Sequence, residues 1–351
     1  MYPKIIINTE KYRHNLKKLI KLSHERDISV MGVSKVFCAD HNLVSILIEE
    51  GIDYIADSRI ENLESIESKI PKVLLRIASY GDAERIVLNS DISLNSELET
   101  IKRLNNCAQK SNLIHGVILM IDLGDLREGI YEENEIFDTV KSVLQCKNIE
   151  LKGIGTNLTC FGGIIPTVHM LKKLVDIKNK IEITFDISVD IVSGGNSSSL
   201  EMLINGEIPA GINNLRLGES IVLGRETAYG TFIDGTYDDV FTLEAEIIEL
   251  KDKPSMPIGE IGMNAFGERP VFIDKGIMKR AILAIGRQDV NYQDLIPYDT
   301  VNIIGSSSDH IIVDVTNSVD IYEVGDIMKF KLTYSSILSL MTSKYVRKSY
   351  E

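Results

Sequence analysis

Short apolar runs alternate with amphipathic stretches from Ile28 to about Gly230, and this alternation constrains the fold more than any other feature of the sequence. Runs of this kind are typical of strands that are buried beneath covering helices. Eight such runs favour an α/β fold of the (β/α)8 TIM-type barrel class over an open sheet. The predicted strands are residues 28–34, 52–57, 72–78, 91–95, 116–122, 149–158, 188–194 and 212–218.

The pattern changes after Gly230, where strand-like runs follow one another with turn residues between them and little helical periodicity. FTLEAEIIEL and HIIVDV are two such runs. We therefore predict a barrel domain over residues 1–230 and a C-terminal β domain over residues 231–351. Residues 1–8 resemble a strand and precede the first barrel helix, and our hypothesis is that they join the C-terminal sheet.

Charge and composition exclude several classes of function. The 351 residues carry a formal net charge of -13, so we expect no nucleic-acid partner, because no basic surplus is left to neutralise phosphates. We find no signal segment and no run of the roughly twenty apolar residues that would span a bilayer, so we expect no membrane partner and a cytoplasmic location. The cysteines have neither metal-site nor disulfide-scaffold spacing, so we predict no metal.

Polar residues follow the predicted barrel strands, at the ends where barrels carry their active sites. Lys35 follows the first strand, Arg127 follows a middle one and Arg216 lies at the end of the last. Taken alone, each is equally compatible with a structural role, as a lysine that extends to solvent or an arginine in an ion pair. The functional interpretation of Lys35 is a Schiff-base lysine made nucleophilic by partial burial and nearby positive charge.

Two loops have the composition of an anion site. IVSGGNSSS (191–199) follows the seventh strand and LRLGES (215–220) ends the eighth, and small residues with free backbone N–H groups can surround a phosphate there. Such a run alone is more often an ordinary loop. Together with Lys35 and Arg216, it predicts a site for one small anionic cofactor that bears an aldehyde.

Ordered segments along essentially the whole chain resemble one enzyme family. They include GVSKVFCADH, IADSRIENL, IDLGDLREG, GIGTNLTCFG, IVSGGNSSS, NLRLGESIVLGRETAYG, KRAILAIGRQD and GSSSDHIIVDV. The sequence resembles the alanine-racemase family of fold-type III pyridoxal-phosphate enzymes, and within it the members that act on ornithine. The resemblance implies a racemase that interconverts L- and D-ornithine, and in addition lysine, with pyridoxal 5'-phosphate as cofactor.

The resemblance also implies roles for individual residues. Lys35 matches the lysine that binds the cofactor covalently, Arg216 the arginine that hydrogen-bonds the pyridine nitrogen, and Arg127 an arginine near the substrate carboxylate. The remaining implied cofactor-binding residues are Asn157 near the ring and, at the phosphate, Ser197, Gly218, Glu219 and Tyr334. An arginine at the ring nitrogen leaves the pyridine unprotonated at neutral pH, which disfavours transamination.

Racemisation needs an acid–base group on each face of Cα, and only one of the two is indicated. Lys35 serves one face. In alanine racemases a tyrosine from the partner subunit serves the other face, but this chain has Arg287 there. An arginine keeps its proton at neutral pH, so it cannot act as the base. His310 and Cys160 are the alternatives, although a lone histidine after a turn and a free cysteine more often have a structural role.

Ser308 and Asp309 bear on the substrate. In related basic-amino-acid decarboxylases a Cys-Asp pair at this location places the aspartate against the distal amine, so Asp309 is expected to bind an ammonium unless it is only a turn residue. The decarboxylases have a cysteine where this chain has Ser308, so the serine argues against decarboxylation. A decarboxylase and a non-catalytic pyridoxal-phosphate carrier remain the alternatives. The resemblance further implies a homodimer in which the β domain of one subunit closes the barrel of the other.

Overall fold

The computed structural model describes all 351 residues, Met1–Glu351, which divide into two compact units. One unit contains residues Lys11–Asp238, and the other combines Met1–Glu10 with Asp239–Glu351. The first strand, β1 (Lys4–Ile7), therefore lies in the same unit as the C-terminal part of the chain. No helix has both the length and the apolar character needed to cross a membrane.

The Lys11–Asp238 unit is a closed barrel of eight parallel strands. Each strand pairs with the next along the chain, and the last pairs with the first. The predicted (β/α)8 barrel is confirmed. Its strands are β2 (Ser29–Val33), β3 (Tyr54–Asp57), β4 (Lys72–Leu74), β5 (Ile92–Asn95), β6 (His115–Met120), β7 (Ile149–Gly155), β8 (Ile191–Ser193) and β9 (Asn214–Leu217).

Helices alternate with these strands, and the sequence shows why they form. In the fifth helix Ile101, Leu104 and Ala108 are buried, a spacing of three and four residues that places one apolar face on the barrel. The seventh helix begins after Thr167, whose hydroxyl accepts the Met170 N–H at 3.2 Å. The helices are α1 (Thr9–His24), α2 (His41–Glu49), α3 (Ile60–Glu64), α4 (Ala83–Asn89), α5 (Leu98–Lys110), α6 (Glu133–Val143), α7 (Val168–Phe185), α8 (Leu200–Asn205) and α9 (Glu219–Leu223).

The barrel is filled by its own side chains, as the alternation along β6 illustrates. Ile118 and Met120 belong to a buried cluster with residues such as Met31 and Leu94 from other strands, whereas Val117 and Leu119 pack in a second cluster with helix residues. The period of two is that of a strand with two buried faces. Because the interior is packed, chemistry is confined to the ends of the barrel.

Two predicted strands run three or more residues past the C-terminal ends of the observed ones. The runs 72–78 and 149–158 continue into loops, since β4 ends at Leu74 and β7 at Gly155. Leu158 is nevertheless fully buried, so the apolar character that extended the predicted strand reflects packing of the loop. Thr156 and Asn157 thereby lie in a loop at the barrel mouth.

The barrel unit continues eight residues past the boundary expected at residue 230, to Asp238. The segment after Thr231 stays with the barrel because it is hydrogen-bonded there: the Thr236 hydroxyl donates to the Gly224 carbonyl at 2.8 Å, and the Tyr237 N–H donates to the Asn15 side chain at 2.8 Å. Ile233 is buried in the same segment.

The other unit is built on one sheet of eight strands in which nearly all neighbours are antiparallel. β1 pairs antiparallel with β10 and parallel with β16. A helix, α10, which the sequence patterns did not predict, follows β15 and begins with a capping box between Thr333 and Ser336. The elements are β10 (Phe241–Pro254), β11 (Ile277–Leu283), β12 (Leu295–Pro297), β13 (Asn302–Ser306), β14 (Ile311–Asp314), β15 (Ile327–Leu332), α10 (Tyr334–Thr342) and β16 (Arg347–Tyr350).

Candidate active site

The predicted site residues of the barrel unit follow the carboxyl ends of its strands. Because the strands are parallel and form a closed barrel, these ends meet at one mouth. The residues are Lys35 after β2, Arg127 after β6, Asn157 and Cys160 after β7, Ser197 after β8, Arg216 in β9, and Gly218 and Glu219 after β9.

Lys35 opens a single 3-10 turn directly after β2 and is half-buried. The residue before it, Ser34, donates its hydroxyl to the Asp57 carboxylate at 2.6 Å. Asp57 is fully buried, and burial raises its pKa, while hydrogen bonds from Ser34, the Arg59 N–H and Asn62 act in the opposite direction. A carboxylate on β3 therefore anchors the turn that carries Lys35.

Arg216 is a buried guanidinium whose protein acceptors are all neutral. It donates to the Ser193 hydroxyl at 2.6 Å, to the Thr156 carbonyl at 2.7 Å and to the Asn157 side-chain oxygen at 3.4 Å. Burial lowers its pKa to about 10. The group is still charged at neutral pH, so the barrel mouth contains a fixed positive charge that is largely removed from water.

Asn157 links Arg216 to the loop after β7. Its side-chain oxygen also accepts from Asn196 at 3.2 Å and from the Cys160 thiol at 3.7 Å. Its amide nitrogen is buried without a hydrogen-bond partner, as are the hydroxyls of Thr156 and Ser198. Buried polar atoms are rarely left without a partner, so these atoms indicate a place for a polar ligand.

The Gly/Ser run after β8 is shaped by close backbone contacts. Gly195 has φ +117°, which a residue with a side chain rarely adopts, and its carbonyl accepts the Arg216 N–H at 3.0 Å. The Ser197 hydroxyl donates to the Ser220 hydroxyl at 3.0 Å and accepts the Ser220 N–H at 3.2 Å. The loop after β8 and the loop after β9 are thus tied together through two serines.

Glu219 connects the same region with Lys35. Burial raises the pKa of Glu219, whereas the positive charges of Arg225 and Lys35 lower it. Gly218, just before it, packs so closely that an added Cβ would lie 3.0 Å from the Val33 side chain at the end of β2. The first and last barrel strands therefore bring Lys35 and the start of α9 together.

Arg127 lies in the loop after β6, and its guanidinium donates from both Nε and Nη2 to the carboxylate of Glu128. This contact raises the pKa of Arg127, and the neighbouring Cys160 adds to the effect. Asp125, two residues earlier, is buried and accepts the N–H groups of Phe161 at 3.1 Å and Gly162 at 3.0 Å. It thereby holds the loop after β7 against the loop after β6.

The other predicted residues lie in the β-sheet unit. Ser308, Asp309 and His310 form an exposed turn between β13 and β14, in which a His310 ring nitrogen lies 3.4 Å from the Ser307 hydroxyl. Arg287 is adjacent to this turn, because its N–H donates to the Ser307 carbonyl at 2.9 Å. Tyr334 is the first residue of α10.

Comparison with known sequences gives the family. Residues 7–226 match the profile described as "Alanine racemase, N-terminal domain". The chain belongs to the alanine racemase family. The match covers the barrel strands and every predicted site residue before the β-sheet unit.

Two curated relatives match this family member over nearly its full length. An ornithine racemase of Acetoanaerobium sticklandii is 49% identical over 350 residues, 99% of this chain and 99% of the relative. A lysine racemase of Thermotoga maritima is 40% identical over 355 residues, 100% of this chain and 99% of the relative.

Solved structures of alanine racemases have the same fold. The enzyme of Clostridium difficile 630 aligns with TM-score 0.74 at 20% identity and covers 100% of this chain and 96% of its own. The enzyme of Bartonella henselae, solved with covalently bound pyridoxal phosphate, aligns with TM-score 0.75 at 17% identity and covers 100% of both chains. At these identities the similarity concerns the fold alone.

Several mouth residues of this alanine-racemase-family chain were not indicated by its sequence. Asp57 and Asp125 act through hydrogen bonds to loops, Ser193 supports Arg216, and Glu128 pairs with Arg127. Their partners are known only once the strands close into a barrel. A signal was available for Asp57, an acidic residue at the end of an otherwise apolar strand.

Proposed function

We propose that this protein is a pyridoxal-phosphate-dependent racemase that interconverts L- and D-ornithine, with lysine as a second substrate. The observation that carries the proposal is the 49% identity to an ornithine racemase over 99% of both chains. The barrel mouth supports the same chemistry, because it combines an amine, a buried guanidinium and a Gly/Ser loop.

The residues of the mouth fit pyridoxal phosphate. Lys35 offers an amine, the loop of Ser197 offers hydroxyl and N–H donors suited to a phosphate, and the amide nitrogen of Asn157 is buried without a protein partner. Gly218, Glu219 and Tyr334 complete the proposed phosphate set. When bound, pyridoxal phosphate supplies a carbonyl that condenses with amines and a conjugated ring that acidifies the Cα proton.

Arg216 would hold the ring nitrogen through a hydrogen bond. Its pKa of about 10 leaves the guanidinium charged at neutral pH, so it donates a hydrogen bond without giving up its proton. Arg216 would thereby leave the ring nitrogen unprotonated and the ring a weaker electron acceptor, which would favour return of the proton to Cα over the competing transamination.

The two charged ends of ornithine have separate partners in this proposal. Arg127 binds the α-carboxylate. Asp309, with Ser308 beside it, binds the distal ammonium, for which a carboxylate is a suitable partner. An alanine side chain would leave such an aspartate without a partner.

Two groups must exchange the Cα proton, one on each face. Lys35 serves one face, and either Cys160 or His310 serves the other. The loss of turnover in Cys160→Ser or in His310→Ala, with the cofactor still bound, identifies the second group. If both variants keep wild-type turnover, neither residue is the second base.

We also propose a dimer in which the β-sheet unit of one copy closes the barrel of the other. The mouth loops carry apolar side chains that are largely exposed, with Leu126 at 66% and Phe161 at 72%, as expected of a surface that a partner covers. Mixing Lys35→Ala and Asp309→Ala subunits tests this. Shared sites would restore about a quarter of wild-type activity in the mixture, because half of the dimers are hybrids with one intact site. Activity that stays at background contradicts the proposal.

The activity is tested with purified protein and single enantiomers of ornithine, lysine and alanine, followed by optical rotation and by release of carbon dioxide. We expect ornithine to racemise fastest, without carbon dioxide. Lys35→Ala should lose the absorbance band of the bound cofactor. Carbon dioxide release would identify a decarboxylase, and an unchanged rotation with every amino acid would refute the racemase.

A further inference from the structure

Glu128 is a charged residue of the barrel mouth that lies next to Arg127 in sequence and pairs with it. Its carboxylate accepts both Nε and Nη2 of Arg127, which is the two-point geometry of a strong arginine–carboxylate pair. The side chain of Glu128 is only 14% exposed, whereas that of Arg127 is 41% exposed. The carboxylate thus lies on the inner side of the pair.

The loop that carries Glu128 is closed on itself. Asp122 accepts the Gly124 N–H at 2.8 Å, and the Ile130 N–H donates to the Met120 carbonyl at 2.9 Å. Gly129, with φ +123°, packs so tightly that an added Cβ would lie 2.5 Å from the Asp122 nitrogen. The backbone on both sides of Glu128 is therefore fixed, and the two-point contact with Arg127 holds its carboxylate.

A second positive charge lies near this pair. Arg216 is buried with neutral acceptors only, so none of its hydrogen bonds supplies a counter-charge. Burial lowers the pKa of Arg216 most, the negative charge of Glu128 raises it, and the positive charge of Arg127 lowers it further. The direct contacts of the Glu128 carboxylate are with Arg127.

We infer that Glu128 is a positioning residue that aims Arg127 at the substrate carboxylate. This inference rests on the proposed function for the role of Arg127. A partly exposed ion pair contributes little to folding stability. The pair should therefore matter for binding much more than for folding.

The test compares Glu128→Gln, which keeps the shape and removes the charge, with Glu128→Asp, which keeps the charge and shortens the side chain. Glu132→Gln is the matched control, because Glu132 is exposed four positions further on. Kinetics with L-ornithine, the apparent dissociation constant of pyridoxal phosphate from neutral to alkaline pH, and the melting temperature are recorded for each.

In Glu128→Gln we expect KM for L-ornithine to rise about tenfold or more, as for other neutralised partners of a charge pair, with a much smaller change in kcat. Cofactor affinity should fall at a lower pH than in the wild type, because Arg216 loses its proton earlier without the carboxylate. Glu128→Asp should retain the wild-type pH dependence and show an intermediate KM. Glu132→Gln should match the wild type throughout.

The inference is overturned if Glu128→Gln keeps the KM of the wild type, or if its melting temperature falls in proportion to the loss of function. The cofactor measurement needs no turnover. An active wild type with an unaffected Glu128→Gln refutes only the role of Glu128, whereas a wild type that binds cofactor without racemising ornithine refutes only the proposed function.

Discussion

Asp125 gives a quantitative prediction, because one buried carboxylate joins two loops of the barrel mouth. Its side chain is 1% exposed and accepts the Phe161 and Gly162 N–H groups at 3.1 and 3.0 Å. Hydrogen bonds to a charged acceptor contribute about 1.5–3 kcal/mol each. Both amides belong to an outer loop, and water can reach them once that loop loosens. We therefore expect Asp125→Ala to lose about 2–4 kcal/mol of unfolding free energy, which is less than the sum of two such hydrogen bonds.

Asp125→Asn should lose less, about 1–2 kcal/mol, because the amide still offers one oxygen. The assay is urea unfolding followed by circular dichroism, together with hydrogen exchange of the Phe161 and Gly162 amides. Both amides should exchange faster in the variants, and KM for ornithine should rise because Arg127 and Cys160 are carried by the loosened loops. Asp138→Asn, an exposed change on α6, is the control. The reasoning is refuted if Asp125→Ala unfolds within about 0.5 kcal/mol of the wild type with unchanged exchange.

Two further predictions concern pH and packing. Burial lowers the pKa of His115 to about 4, below its unfolded value of 6.5. The unfolded chain therefore binds the proton first, and the free energy of unfolding should fall by up to about 3 kcal/mol as pH drops from 6.5 to about 4. In urea unfolding, His115→Asn should flatten this dependence of stability on pH. An unchanged pH dependence would contradict the role of His115. A Cβ on Gly286 would lie 2.3 Å from the Ser308 carbonyl oxygen, whereas one on Gly305 would meet nothing within 4 Å. Gly286→Ala should therefore lower the melting temperature and lose about 1–3 kcal/mol, and Gly305→Ala should cost much less; equal melting temperatures would argue against this packing.

The barrel could be predicted because its signal is local. Each strand is an apolar run bounded by turn residues, and Val117, Ile118, Leu119 and Met120 are apolar in succession since both faces of β6 are buried. Strand ends were less certain, because a buried loop residue such as Leu158 has the same composition as a strand residue. The helix α10 was missed because its N-terminal signal is a Thr333–Ser336 capping box without the usual glutamate or glutamine.

The candidate site was predictable to the extent that its residues lie at strand ends. Lys35 and Arg216 stand out in sequence for that reason. Asp57, Asp125 and Glu128 did not, because their importance lies in contacts with other loops, and Asp125 has its hydrogen-bond partners 36 and 37 residues away. Hydrogen bonds between loops become visible only in three dimensions.

The central claim is that the protein moves the Cα proton of ornithine without breaking any bond from Cα to carbon or nitrogen. Incubation of L-ornithine with the enzyme in deuterated water measures this directly, with chirality and α-deuterium followed in the same samples. The account predicts that D-ornithine appears with deuterium at Cα, that the mixture approaches equal amounts of both enantiomers, and that Lys35→Ala does neither. The account would be contradicted if L-ornithine took up no deuterium at Cα and kept its chirality while the cofactor was bound.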